Sequence, residues 1–341
     1  MFHKFAITGL SILAFLAPAF AATRTITVDD DRAQCRGAEY ASLPEALSAA
    51  APGDAILICA GSYAVPAGGL VVDKSALRLI ASGPTGSVRV VPQAARPGGP
   101  ASAGFIIAAD DVRLEGLDIA RFSGPGVSAG TRQPVSGLVL ERNRIHHNQV
   151  GIVLQQSAAL VVHNAVDHNG LQGIVAGPGS NAQIRDNAVT ANSTAPGFTA
   201  GIEIVEAAGG VIVAGNRCLG NAVGLRLNRS SGVLVQGNQL NGNRLGLDLF
   251  ASHHNQITGN EFNDNTALAG VWVRQASTGN VLQFNQATGN RYDGIFVFAD
   301  AARGNSLSGN RLEGNTEHGL HHGASVRANA GLEVARSRPL R

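Results

Sequence analysis

Lysine is nearly missing from this chain of 341 residues. Lys4 and Lys74 are the only two, and arginine supplies the other basic groups. A proton-abstracting base would therefore have to be arginine, histidine or tyrosine. The formal net charge is only +2. Together with the absence of any basic patch interleaved with aromatics, this excludes a strong attraction to nucleic acid or to a membrane surface. Aromatics make up 5% of the chain, with Trp272 the single tryptophan. After the N-terminal segment no apolar run is long enough to span a bilayer. No segment of the repeats carries a 3.6-residue apolar period long enough for a helix, which leaves strands and turns.

What the chain has in abundance is asparagine at a fixed period. A first asparagine returns at Asn143, Asn164, Asn187, Asn216, Asn238, Asn260, Asn285 and Asn310, at spacings of 21, 23, 29, 22, 22, 25 and 25 residues. A second follows at Asn148, Asn169, Asn192, Asn221, Asn243, Asn265, Asn290 and Asn315, and then a short glycine-led run such as Gly201-Ile-Glu-Ile or Gly246-Leu-Asp-Leu. A period in this range is the signature of a solenoid. Two residues after each first asparagine stands Ile145, Val166, Val189, Cys218, Leu240, Phe262, Ala287 or Leu312. That column is apolar throughout and must point inward. Asparagine suits the corners because it tolerates the left-handed backbone and bonds backbone through its amide, and stacked asparagines bond one another along the axis. The pattern predicts an all-β fold, a single-stranded right-handed parallel β-helix of about a dozen coils. The leucine spacing is wrong for a leucine-rich repeat.

The ends divide the chain further. Residues 1–21 read as a secretory signal peptide: basic Met1-Phe-His-Lys4, an apolar stretch from Phe5 to Phe20, and Ala19-Phe20-Ala21 as the cleavage site. The mature protein is then periplasmic or secreted, with no membrane span after processing. Residues 22–60 read as an N-terminal cap and first coil, in which Ser42 and Glu45 form a capping box, Pro44 sits in the first turn, and the helix runs to about Ala51. Such a helix covers the open apolar end that every solenoid has. Residues 61–323 are the β-helix, and residues 324–341 a basic tail or cap. Pro92 to Gly104 and Ser193 to Thr199 read as excursions from the coils. In an oxidising compartment Cys35 and Cys59 are expected to pair, pinning the cap to the first coils, while Cys218 lies in the inward column as a buried thiol.

Tyr40-Ala-Ser-Leu-Pro-Glu-Ala-Leu47, Ala50-Ala-Pro-Gly-Asp-Ala-Ile56 and Cys59-Ala-Gly-Ser-Tyr63 together resemble the opening of secreted right-handed β-helix proteins, including pectinesterase-like, NosD-like and alginate-epimerase-like members. The later coils are similar to the generic repeat of those families. The resemblance implies the fold over nearly the whole mature chain and, for activity, only carbohydrate handling, since one scaffold hosts lyases, hydrolases, esterases, epimerases and structural proteins. The Asp-Pro-His-Asp run of alginate epimerases is absent, as are the Asn-Thr-Asp and Gly-His-Gly runs of polygalacturonases. The pectinesterase catalytic motifs are missing too.

The outward positions of the runs give a candidate site. They read Val153, Val175, Glu203, Arg226, Asp248, Trp272, Phe296 and His321, and two residues later Gln155, Gly177, Val205, Asn228, Phe250, Arg274, Phe298 and Gly323. Trp272, Phe296, Phe250 and Phe298 offer faces on which sugar rings stack. Glu203, Asn228, Arg226, Asp248 and Arg274 offer hydrogen bonds or contacts to uronate carboxylates. Arg226, Asp248 and His321 are the candidate catalytic residues of a polysaccharide lyase or C5-epimerase acting on a uronate-containing polysaccharide or oligosaccharide. The same charges also read as a ladder that satisfies itself, which favours a NosD-like accessory protein, with a periplasmic protein as partner. An inverting glycoside hydrolase is a third reading, because Glu203 and Asp248 lie two coils, or about 9.6 Å, apart. His253 and His254 read as a turn, His318 and His322 cluster with His321 near Tyr292 and Asp293, and His147 and His168 read as a stacked corner ladder. No metal site is expected there, since no carboxylates converge in the sequence, and no cofactor is expected.

Overall fold

Each pass of the chain lays one strand in each of several sheets and returns one place over. Thr25–Val28 is followed by a helix, then Ala55–Ile58 pairs beside Thr25–Val28, and Gly61–Val65 and Leu70–Val72 open two further sheets before Arg78–Ala81 returns to the first. The computed structural model describes residues 24–93, 102–193, 197, 199–301 and 304–322. Among these residues three parallel sheets hold twelve, eleven and seven strands. This is the parallel β-helix that the asparagine period predicts. The signal-peptide reading, most of the two excursions, Gly323 and the basic tail lie outside the described residues.

The core is built from columns of like residues. Along the twelve-stranded sheet the register runs Ile26, Ile56, Leu79, Leu114, Leu140, Val161, Ile184, Val213, Val235, Ile257, Leu282, Leu307. All are fully buried, as is the column from Ile145 to Leu312, apart from 2% exposure at Leu312. Each strand is too short to be stable alone and gains its apolar cover from the coil on either side.

The corners are held by the asparagines. Asn143 Nδ2 and its backbone N–H both donate to Asn164 Oδ1 at 3.1 and 2.9 Å, and the same amide donates to Leu114 O at 2.9 Å. The pattern repeats from Asn164 to Asn310 and, in the second column, from Asn148 to Asn315. A third, shorter column joins Asn255, Asn280 and Asn305. Side chains buried this deeply must have their donors and acceptors met, and the stacked amides meet them mutually. The ladder also sets the glycine in each run. A Cβ on Gly246 would lie 2.4 Å from Gly270 O and 3.0 Å from the Asn265 amide nitrogen.

The helix spans Leu43–Ala49, with Ser42 Oγ accepting from Glu45 N–H at 3.4 Å and Pro44 in the first turn. It ends two residues before the sequence reading of Ala51. Asp54 takes the Ala51 N–H at 2.8 Å and the chain turns at Pro52-Gly53, which draws Ala50 into extended backbone. Leu43, Ala46 and Leu47 join the interior core, and the helix touches the first strand of all three sheets, so it covers the end of the stack. Lys74 Nζ donates to Leu47 O and Ser48 O at 2.6 and 2.8 Å, placing a cation on the last carbonyls. Cys35 and Cys59 are disulfide-bonded, and Cys218 is a buried free thiol whose pKa burial pushes up.

Candidate functional site

The eleven-stranded sheet carries the predicted outward column in unbroken register: Val153, Val175, Glu203, Arg226, Asp248, Trp272, Phe296, His321. Asn228, Phe250 and Arg274 form the adjacent row. The residues singled out from sequence are therefore brought together on one surface.

Their burial differs from the expectation of an open charged face. Asp248 has no exposed surface and Glu203 only 6%. Arg274 grips Asp248 through two bonds, Nε to Oδ1 and Nη2 to Oδ2, each 2.8 Å. Arg226 Nε stands between the carboxylates, 3.4 Å from Asp248 Oδ2 and 3.9 Å from Glu203 Oε1. Gln172 Nε2 donates to Glu203 Oε2 at 2.7 Å and Asn228 Nδ2 to Oε1 at 3.4 Å. The Phe250 ring lies under both guanidiniums, 5.1 Å from Arg226 Cζ and 4.7 Å from Arg274 Cζ. The rings and guanidiniums thus roof the carboxylates over. Strand alternation gives the direction of a side chain but says nothing of what lies across it. With both oxygens engaged and no path to water, Asp248 cannot activate a water or protonate a leaving group, so the arrangement does not suit an inverting hydrolase. Its two bonds instead fix the plane of Arg274, while Arg226 is held by ion-pair contact and by the Phe250 ring, and each arginine keeps 15% of its side chain exposed.

Beyond the arginines the face becomes a chain of rings. Trp272 meets Phe298 edge to face at 5.5 Å, Phe298 meets Phe296 at 4.3 Å, Phe296 meets His321 at 4.4 Å, and His321 meets His318 at 4.7 Å. Trp272 and Phe296 are half-buried against a small apolar cluster, separate from the interior core, of Ala200, Val223, Leu245 and Ala269. The buried carboxylate of Asp293 holds both histidines, His318 Nδ1 at 3.0 Å and His321 Nδ1 at 3.6 Å. Asp293, His318 and His321 have ligand atoms close enough to hold a metal ion. His253 is engaged with Thr278 of the next coil, whose N–H donates to its Nδ1 at 3.3 Å, consistent with a corner role.

A second cluster lies on the seven-stranded sheet. His147 and His168 do stack, 5.4 Å apart and 8° from parallel. The expectation that no carboxylates converge there is corrected by the structure. Asp118 meets His146 Nε2 at 2.9 Å, and Asp167 meets His168 Nδ1 at 2.8 Å and Arg144 Nε at 3.2 Å. Burial pushes the Asp167 carboxyl up, but the bonds from Arg144 and His168 outweigh it and hold it below the usual range. His147 lies below its ordinary value because of burial and the neighbouring His146 and His168.

Comparison with known proteins agrees with this architecture. The family described as right handed beta helix region matches residues 97–189. The family described as periplasmic copper-binding protein (NosD) matches residues 196–330. A search of the curated proteins finds no match. Among solved structures, the A-module of the Azotobacter vinelandii mannuronan C-5 epimerase AlgE4 is similar with a TM-score of 0.65 at 16% identity, over 90% of this chain and 100% of that one. The periplasmic alginate epimerase AlgG is similar with a TM-score of 0.60 at 17% identity, over 80% of this chain and 74% of that one. XylC in complex with xylose gives 0.55 at 13% identity, over 78% and 70%. Together these place the chain among the right-handed parallel β-helix proteins. At such identities the structural likeness speaks for the fold alone.

Proposed function

We propose that this is an exported β-helix protein that binds a uronate-containing polysaccharide along the later coils of the eleven-stranded sheet. The observation that carries the reading is the ring array Trp272–Phe298–Phe296–His321, contiguous with two arginines whose guanidiniums Asp248 and Phe250 hold in place. Sugar rings stack on aromatic faces through their apolar surfaces, and a preset guanidinium edge receives a carboxylate in two bonds. The Cys35–Cys59 bond supports export, as do relatives described as periplasmic. Asp248 has a positioning role and Arg226 and Arg274 contact the anionic groups, with Glu203 and Asn228 supporting them. His321, held by Asp293 and 45% exposed at its side chain, is the group on this face suited to take a proton from a bound uronate. Titration with alginate and polygalacturonate oligomers, followed by Trp272 emission and by absorbance near 235 nm, tests the reading. Emission should change on binding, and an unsaturated product should absorb if His321 serves elimination. No binding of any glycan by emission or calorimetry would overturn it.

A second reading, a non-enzymatic accessory protein, draws on a specific observation. Asp293, His318 and His321 fall within the residues matched to the copper-binding family. Saturable Cu2+ binding lost in His318→Ala/His321→Ala, with no glycan binding, would favour it.

A further inference from the structure

The histidine cluster on the seven-stranded sheet lies outside residues 196–330 and on a different sheet from the proposed glycan face. We infer that it is a site for one divalent ion of the Zn2+ class, with Nδ1 of His146, Nδ1 of His147 and a carboxylate oxygen of Asp167 as ligands. Asp118 orients the first of these.

Three coils build it. Asp118 lies on Asp118–Ala120, His146 on Arg144–His146 and Asp167 on Ala165–Asp167, with His146 and Asp167 register partners on adjacent strands. Asp118 Oδ1 accepts from His146 Nε2 at 2.9 Å, which fixes the tautomer and leaves a lone pair on Nδ1 of the neutral ring. That Nδ1 faces His147 Nδ1 at 2.7 Å. His147 reaches this position through left-handed backbone at φ 56°, which turns its ring back over the preceding strand. Two nitrogens this close either share an N–H hydrogen, with neutral His147 donating from Nδ1, or flank a cation. A carboxylate oxygen of Asp167 lies within 4.8 Å of both, so three donors surround one point.

Two imidazoles and a carboxylate are a borderline ion's donor set, at about 2.0–2.2 Å each, with a fourth position left for water. A carboxylate behind a ligating histidine is the usual means of holding its ring and raising its basicity. Asp167 is restrained in turn by His168 and Arg144. Arg144, bonded to Asp167 and charge-coupled to Asp118, offsets the two carboxylates, so affinity rests on the nitrogen donors. That selects Zn2+ over Mg2+ or Ca2+.

The test uses the full chain, freed of metal by chelator, in a His318→Ala/His321→Ala background that removes the other histidine pair. Calorimetric titration with Zn2+ should give one saturable equivalent, and Co2+ should give visible absorption bands of a low-coordinate site. His147→Asn, which tolerates the left-handed backbone, should abolish both while leaving the β-sheet circular dichroism unchanged. Asp118→Asn, which keeps the side-chain shape but removes the charge behind His146, should weaken binding by about 10- to 100-fold. Absence of saturable binding, or isotherms and spectra equal in the parent and in His147→Asn, would overturn the inference and leave the cluster as a proton-bridged pair.

Discussion

The early and late coils of the eleven-stranded sheet share one backbone and one register, yet their outer surfaces differ completely. Val71, Ile106, Ser128, Val153 and Val175 occupy the same column as Glu203, Arg226, Asp248, Trp272, Phe296 and His321. The inward columns do not change along the same length. A parallel β-helix therefore separates two tasks by side-chain parity: inward positions keep the stack together, and outward positions can be rewritten coil by coil without touching the core.

The sharpest break between the halves should come at Asp248. Asp248→Ala leaves two confined guanidiniums without their carboxylate and should destabilise the protein by about 3–5 kcal/mol in denaturant unfolding. Val153→Ala, at the same position two coils before the charged ladder begins, should cost under about 1 kcal/mol. Equal losses at the two positions would mean that the ladder is no more than a solvated surface. Next in size is ligand binding. Trp272→Ala should weaken oligosaccharide binding by about 1–3 kcal/mol if the ring is an anchor, and Val153→Ala should leave it unchanged.

The smallest effect belongs to acid. On the twelve-stranded sheet Glu115 is bonded by Arg142 and Arg113. Burial pushes its carboxyl up, but the two arginines outweigh this and hold it below the ordinary value, as happens at Asp167. A lowered folded-state pKa means that the unfolded chain binds the proton more readily. These groups therefore contribute above the unfolded carboxyl value near 4, and the contribution is lost as pH falls through the folded one. His147 acts in the same sense below about 6.5. Glu115→Gln should flatten the acid side of a plot of unfolding midpoint against pH, by under about 1 kcal/mol because Arg142 is largely exposed. An unchanged acid limb in the variant would remove Glu115 from the account.

The asparagine columns were legible because a residue type repeated at one period can only mean repeated geometry. The inward column from Ile145 to Leu312 followed from the same spacing. Asp248 was placed on the right face but its enclosure was not legible, because that depends on how far Phe250, Arg226 and Arg274 lean across neighbouring coils. Asp118 escaped for a different reason. Its coil has no ladder asparagine, and the columns end there on the backbone N–H groups of Leu117 and Phe122, bonded to Asn143 and Asn148. Without that marker the register of Asp118 beside Arg144 could not be assigned, and the carboxylate beside His146 stayed out of sight.

The ladder geometry also decides how the molecule answers tension. Backbone bonds between coils and asparagine bonds at the corners both run along the solenoid axis, so a pull on the two ends loads an end coil first and peels coils singly. One coil of 22 residues, such as that from Asn216 to Asn238, rises by about 4.8 Å when folded and pays out to about 75 Å when drawn straight. A force trace should then be a sawtooth of nearly even steps. The cystine withholds the stretch from Cys35 to Cys59 from that extension until it is reduced.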